Sequence, residues 1–444
     1  MTARQIPVAG TASFGAGEPL AAALTRMGTQ IASLIPAMML AYMIVIWPLA
    51  FGDASIPIEE AYFGWLAPFS PPETSSPLKQ IAYPALLMLA CACGLATMGY
   101  RRLPLLRPPL FLLLAAIALA LASTLWSPLP RLTLMRAAVL TMISITVVLA
   151  VFAAGSFRTM IRALLAVMVA AMLLNAWAVA TQAAGPIGHN GIYPQKNFFG
   201  WVAAAILFFG LYHVTFGGLA QRATALAMIV AAPVFLIAAQ SKTSLGLAIL
   251  SPVAALILLV AVRRFRLSPA ILVPALVAGG AIAFFIGEAA GIWTFHSVNE
   301  AIFGDGTLTG RTDIWIIAMD LIARGPFLGY GYEAVWATGY GGIAYNNALG
   351  FPRVAPTGHN GYIDIMLYLG WPGLLLLAGF LIAVLAVAGR LARTDARLGW
   401  LALTFIVFTM LHNNLESDIL ISSNPLSMLM VLFMAIGLRM TAQR

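Results

Sequence analysis

Two short stretches of this chain hold residues that can do chemistry. In TGRTDIW, residues 309–315, Arg311 stands at or just before a predicted helix running from Asp313 to Arg324. A cation there opposes the helix dipole, at a cost of about 0.3–1 kcal/mol. The placement makes sense if an anion arrives. A helix N-terminus offers free N–H groups and a partial positive charge, and an arginine adds a bidentate fork for phosphate oxygens. In TGHNGYIDIMLYLGWPG, residues 357–373, His359 directly precedes a long apolar run that begins near Tyr362. A histidine at a helix start is biased toward neutral imidazole, the form that acts as a general base near neutral pH. Asn360 adjoins it and Asp364 follows one turn on, placed to orient the site. Plainer readings stand beside these: Arg311 as a surface arginine paired with Asp313 or Asp305, and His359 as a capping or interfacial histidine.

More cations share this setting. Lys79, Arg131, Arg136, Lys196, Lys242, Arg311, Arg324 and Arg353 lie in segments that are otherwise acidic. Arg131 and Arg136 fall in WSPLPRLTLMR, Lys196 in YPQKNFFG and Lys242 in AAQSKTSL. Any one of them can be a side chain snorkelling to the membrane surface. As a group, cations at one membrane level on separate segments can converge on an anion, and a lipid phosphate or pyrophosphate is the natural one at that depth. His189, His213, His296 and His412 read as structural, His189 the least securely because it lies close to Lys196. No set of His, Asp or Glu has metal-ligand spacing, so no metal site and no cofactor is expected. Cys91 and Cys93 sit two apart in an apolar run and read as small buried hydrophobes.

The elements that must position these residues are membrane helices. The chain has 444 residues, 61% hydrophobic and 9% charged, with a mean hydropathy of +0.94, a balance no soluble domain of this length has. The apolar runs are continuous rather than alternating, which favours helices over a barrel. The expected fold is an all-α polytopic membrane protein with about twelve spans, near 31–51, 81–98, 109–125, 133–154, 160–183, 198–216, 223–239, 244–262, 269–287, 362–388, 398–412 and 424–439. The N-terminus lacks a signal-peptide pattern, and its first apolar run is long enough to stay in the membrane.

Sixteen Lys and Arg residues fall in one set of connecting segments beside only Glu18 and Asp395; the other set holds 8 cations and 13 acids. By the positive-inside rule both termini are cytoplasmic and the long loop faces outward. The expected organisation is a cytoplasmic segment 1–30, nine spans over 31–287, a periplasmic loop 288–361 with short helices, and three spans with a short tail over 362–444. The net charge of +9 is this topology signal, and nothing suggests nucleic acid.

TGRTDIW, RGPFLGYGYEAVW and GHNGYIDIMLYLGWPG together resemble the O-antigen ligase and Wzy-type polymerase superfamily of bacterial membrane glycosyltransferases. Within it the chain looks closest to exopolysaccharide polymerases of the ExoQ type. WSPLPRLTLMR, GIYPQKNFFGW and SKTSL are similar to family segments as well, so the likeness covers about residues 110–435. It implies about twelve spans in the inner membrane, with a large periplasmic loop after the ninth. It also implies metal-independent transfer of a glycan from an undecaprenyl-pyrophosphate carrier, with inversion at the anomeric carbon. Arg311 matches the family's loop arginine and His359 its loop-end histidine. Lys242 stands where many members have arginine, and Arg131 and Arg136 match the paired basic residues near the fourth span. The implied partners are an undecaprenyl-pyrophosphate-linked oligosaccharide, a glycan or lipid A–core acceptor and membrane lipids, with a chain-length regulator or export components as further candidates.

Two other readings differ in function. An O-antigen ligase would use the same donor and chemistry on lipid A–core or a protein. A transporter or flippase would do no chemistry, but it calls for internal repeats and charged residues deep in the spans, and the sequence has neither pattern.

Overall fold

The computed structural model describes residues 20–51, 77–303, 308, 310–336, 342–348 and 351–442. The protein is an all-α polytopic membrane protein. Its helices in chain order are α1 (Leu20–Ala41, continuing through a π turn to Phe51), α2 (Pro77–Ala96), α3 (Pro108–Ala122), α4 (Pro130–Ala153), α5 (Phe157–Thr181), α6 (Lys196–Phe216), α7 (Leu219–Ala239), α8 (Lys242–Arg264), α9 (Pro269–Ala289), α10 (Phe295–Phe303), α11 (Arg311–Arg324), α12 (Ile343–Asn347), α13 (Gly361–Thr394), α14 (Ala396–His412) and α15 (Pro425–Ala442). Among the described residues, 11 helices are long and apolar enough to cross a membrane. The remaining expected span, 398–412, is α14. Its 17 residues rise only about 25 Å against a hydrocarbon core of roughly 30 Å, so the connection after it starts near membrane depth. Backbone at that depth must find partners inside the protein. Here Asn413 Oδ1 accepts the backbone N–H groups of Asp418 (2.9 Å) and Ile419 (3.0 Å).

Local sequence explains where helices start. Proline occupies the first turn of α3, α4 and α9, where a missing N–H costs nothing. Ser156 caps α5, Asn360 caps α13 and Asp395 caps α14 through side-chain oxygens. The helix begun by TGRTDIW starts at Arg311 itself, two residues before the expected Asp313. The first membrane helix starts at Leu20, well ahead of the apolar run at 31.

One helix is broken, and the sequence YLGWPG breaks it. Pro372 has no N–H to give the Tyr368 carbonyl, and Gly370 leaves helical space at φ 61, ψ −155. Residues 326–331 slot into the gap. Tyr330 N–H donates to the Leu367 carbonyl (2.8 Å), Gly331 N–H to Tyr368 (2.9 Å), and Trp371 N–H to Phe327 (3.1 Å). A Cβ on Gly370 would strike the Phe327 carbonyl, and one on Gly329 would strike the backbone of α13. Residues 371–394 rise about 36 Å, enough to cross a bilayer alone. Residues 361–369 are therefore a separate half-helix, and His359 and Asn360 sit at its head.

Candidate functional site

The N-termini of α6, α8, α11 and α13 gather at one end of the bundle around a residue the sequence reading did not single out, Glu416. Its Oε1 accepts from Arg311 Nη2 at 2.5 Å and from Asn197 Nδ2 at 2.6 Å. Its Oε2 lies 3.0 Å from His359 Nδ1. The side chains of Arg311, His359 and Glu416 are 13%, 14% and 12% exposed, so the triad is screened from solvent yet not sealed. Burial pushes the Glu416 carboxyl up, but His359, Arg311 and His412 outweigh it and bring it to about 2.

This contact sets the chemistry of the imidazole. A carboxylate only accepts, so the bridging proton sits on Nδ1 and leaves Nε2 as the ring's acceptor atom when the ring is neutral. The cap of the half-helix is Asn360, whose Oδ1 accepts from Tyr362 N (3.1 Å) and Ile363 N (3.2 Å). His359 is thus not the cap: a carboxylate orients its ring. Its backbone is left-handed at φ 49, a conformation a non-glycine residue holds only under constraint. Gln240, Leu308, Glu333, Leu420 and Ser423 share that strain at the same end of the bundle.

Two braces hold the triad. From α11, Trp315 lies one turn after Arg311 and donates its indole N–H to the Gly358 carbonyl at 2.9 Å. Arg311 and Trp315 thus reach Glu416 and the His359 loop from one helix face. From the half-helix, Asp364 is fully buried and accepts four contacts: Trp336 Nε1 at 2.6 Å, Ser417 Oγ at 2.5 Å and Gly358 N at 3.1 and 3.2 Å. Asp364 therefore touches the neighbour of His359 and the neighbour of Glu416 at once. A second histidine–carboxylate pair, His412 Nδ1 and Asp418 Oδ2 at 2.6 Å, is buried behind the first.

The expected cations separate into groups. Lys196 and Lys242 are the first residues of α6 and α8. Lys196 feels the charges of Arg311, Lys242 and Glu416, and its Nζ donates to the Ile187 carbonyl at 2.8 Å. The link from these helices to Glu416 runs through the next-door residues, with Ser241 Oγ 3.2 Å from Asn197 Oδ1. Gly200 permits that approach, since a Cβ there would lie 2.7 Å from Ser244 Oγ. Arg136 belongs to another network. It donates to the Glu333 carbonyl at 2.5 Å, and the Glu333 carboxylate accepts from Ser422 N (2.6 Å) and Ser422 Oγ (2.7 Å). That ties α4 to the same 413–424 connection that carries Glu416. Arg131 is exposed in the first turn of α4, outside both networks. Arg324 pairs with Asp320 at the surface, Arg353 lies over the Tyr345 ring and Lys79 over the Trp47 ring. His189 accepts Gly191 N–H on Nδ1 at 2.8 Å and shapes a turn.

Glu416, Asn197 and the Trp315 and Trp336 braces were missed. The available signal for Glu416 was NNLESD, an acidic run in the last connection of the acid-rich set. Among the described residues, no group of three His, Cys, Asp or Glu side chains is close enough to hold a metal ion.

Residues 223–378 match a family model described as O-antigen ligase. The matched stretch contains Lys242, Arg311, His359 and Asp364 and ends before Glu416. The match covers about a third of the chain, and over that stretch the chain is similar to the O-antigen ligase family. No curated protein matches the chain.

Proposed function

Taking the chain as one of the O-antigen ligase and Wzy-type superfamily, we propose that it transfers a glycan from an undecaprenyl-pyrophosphate-linked donor on the periplasmic face of the inner membrane. The observation that carries the reading is the one carboxylate, Glu416, shared by Arg311 and His359 and largely screened from solvent. An anion-binding group and a proton acceptor are thereby fixed side by side, which the reaction requires. The acceptor hydroxyl attacks the anomeric carbon, and its proton passes to His359 Nε2. The bond from anomeric carbon to pyrophosphate oxygen breaks, and undecaprenyl pyrophosphate leaves with the electron pair. One displacement gives inversion. Glu416 holds the ring and stabilises the imidazolium, a role carboxylates play beside catalytic histidines elsewhere. Arg311, Lys196 and Lys242 meet the charge that builds on the departing pyrophosphate, with no metal needed for that task. Arg136 supports the reading less directly, as a tie to the loop that carries Glu416.

The periplasmic placement rests on the charge asymmetry of the connecting segments. A reporter fused after residue 320 should be active only in the periplasm and one fused after residue 394 only in the cytoplasm; the reverse pattern would move the site to the other face.

Polymerisation of repeat units, as by ExoQ-type enzymes, is the favoured outcome, on the strength of the GIYPQKNFFGW and TGRTDIW segments. The ligase reading has its own support in the description of the matched family. Purified protein with a defined undecaprenyl-pyrophosphate-linked oligosaccharide separates the two. A ladder of multiples formed from donor alone marks a polymerase, a single addition that requires lipid A–core marks a ligase, and no glycan transfer with either acceptor sinks the proposal.

A further inference from the structure

On the lipid-facing side of the bundle a trough of about 590 Å³ runs between α5 and α7. Ala176 and Ala180 line it from α5, Ala227 and Ala231 from α7, with Val230 and Phe235 among the rest. Each alanine pair is spaced four residues apart, so it lies on one face of its helix. In membranes such small pairs usually let two helices close on each other. Here they do not close: Ala176, Ala180 and Ala227 stay exposed and Val230 is 70% exposed. The floor has gaps at intervals of about 6 Å along each helix, suited to a methyl-branched chain.

The upper end of the trough leads to the Glu416 cluster. Asn175, next to Ala176, is buried; its Oδ1 accepts Ile192 N–H at 3.1 Å and its Nδ2 lies 3.2 Å from the Tyr193 hydroxyl. This holds the 187–196 loop over the end of the trough, and Lys196 closes that loop on Ile187. Phe235 packs on Phe199 with ring centroids 5.5 Å apart, and Phe199 is one turn below Lys196 on α6. From Phe235 at the trough, one ring contact to Phe199 and one helical turn along α6 lead to Lys196 and to Asn197, which touches Glu416.

We infer that the α5–α7 trough seats the polyisoprenoid tail of the lipid-linked donor. The inference rests on the proposed function, and charge complementarity selects the occupant. Lys196 feels the charges of both Arg311 and Lys242, and a group of three neighbouring cations suits a pyrophosphate better than a single phosphate. One trough between two helices suits one long chain, whereas a bilayer phospholipid brings two.

The test compares two probes on the full chain in nanodiscs of phosphatidylethanolamine and phosphatidylglycerol: undecaprenyl pyrophosphate, with head and tail, and inorganic pyrophosphate, the head alone. Val230→Trp fills the trough from an exposed position that tolerates bulk, and Ala231→Phe fills it from the floor. Both should weaken undecaprenyl pyrophosphate about fivefold, a modest loss because lipid competes for the tail, and leave inorganic pyrophosphate unchanged. Equal weakening of both probes would mean that the variants distort the cluster, and no change in either would put the tail elsewhere; both results overturn the inference. So does displacement of undecaprenyl pyrophosphate by added phosphatidylglycerol from wild type but not from Val230→Trp, since the trough would then hold bulk lipid. Failure of wild type to bind inorganic pyrophosphate, or indifference of that binding to Arg311→Ala, would instead count against the proposed function.

Discussion

The two ends of the helix bundle handle positive charge in opposite ways. At one end arginines sit at helix C-termini. Arg439 in the last turn of α15 donates to the Val151 carbonyl near the end of α4, and Arg263 in the last turn of α8 donates to the Ala392 carbonyl near the end of α13 at 3.2 Å. There cation and dipole attract, and carbonyls with no helical partner are satisfied. At the other end Lys196, Lys242 and Arg311 open α6, α8 and α11, where cation and dipole repel. Among the described residues, the carboxylate paired with Arg311 is Glu416. The first arrangement pairs the cations with carbonyls of the fold itself. The second brings cations together against both their helix dipoles and one another, since Lys196 feels the charges of Arg311 and Lys242, which is the condition the proposed donor pyrophosphate would meet.

That contrast predicts rate losses without instability at His359 and Arg311, losses of both at the braces that hold them, and instability without rate losses at the opposite end. The largest effect belongs to His359. His359→Ala should cut turnover by about 10²–10⁴-fold while the donor still binds, because the base acts on the transition state. Donor-affinity and single-turnover measurements check this, and a variant that fails only because the donor no longer binds would move His359 to recognition. Next comes Arg311→Ala, with a loss of about 10²–10³-fold in kcat/KM and normal membrane insertion. Arg311→Lys should recover little, since it keeps the charge and loses the bidentate fork; a fully active lysine variant would reduce the residue to charge neutralisation.

Asp364→Asn should cost about 1–3 kcal/mol of stability by leaving buried donors without a carboxylate, read as a lower melting temperature in detergent. A loss of turnover would accompany it, because the two loops it joins flank the triad. Acid should erode the site through Glu416, whose carboxyl is held at about 2 in the fold. Above its ordinary pKa, near 4.5, its stabilising contribution is fully present; it declines as pH falls and is gone below about 2. Glu416→Gln should flatten melting temperature against pH within that window. The smallest effect is expected at the opposite end. Arg439→Gln should lower stability by about 1–2 kcal/mol and leave kcat and KM unchanged, and a kinetic effect there would break the contrast between the two ends.

The spans were legible because hydropathy is a local property and every apolar run of about twenty residues is its own evidence. Arg311 and His359 were legible for a related reason: each sits beside a helix start that its own neighbours announce. Glu416 was not. Its meaning comes from Arg311, 105 residues away, and His359, 57 away, and no local pattern marks an acid as the partner of a distant arginine and a distant histidine. Arg136 shows the same limit in reverse, since its tie to Glu333 crosses 197 residues. The break at YLGWPG was not legible either, since the expected span 362–388 runs straight through it. That the proline frees the Tyr368 carbonyl for Gly331 depends on a loop arriving from elsewhere. The expected loop 288–361 lies partly outside the described residues, at 304–307, 309, 337–341 and 349–350.

The splice at Gly370 has a mechanical consequence. A continuous 34-residue helix would act as a rigid lever, so any tilt imposed by a thicker or thinner bilayer would swing its far end by several ångströms. In this protein the lever is cut. Residues 371–394 can lean with the membrane, while residues 361–369 are anchored through Asp364 to Trp336 and Ser417. The flexing point falls below the imidazole, so the distance from His359 to Glu416 is insulated from the thickness and composition of the lipid around it.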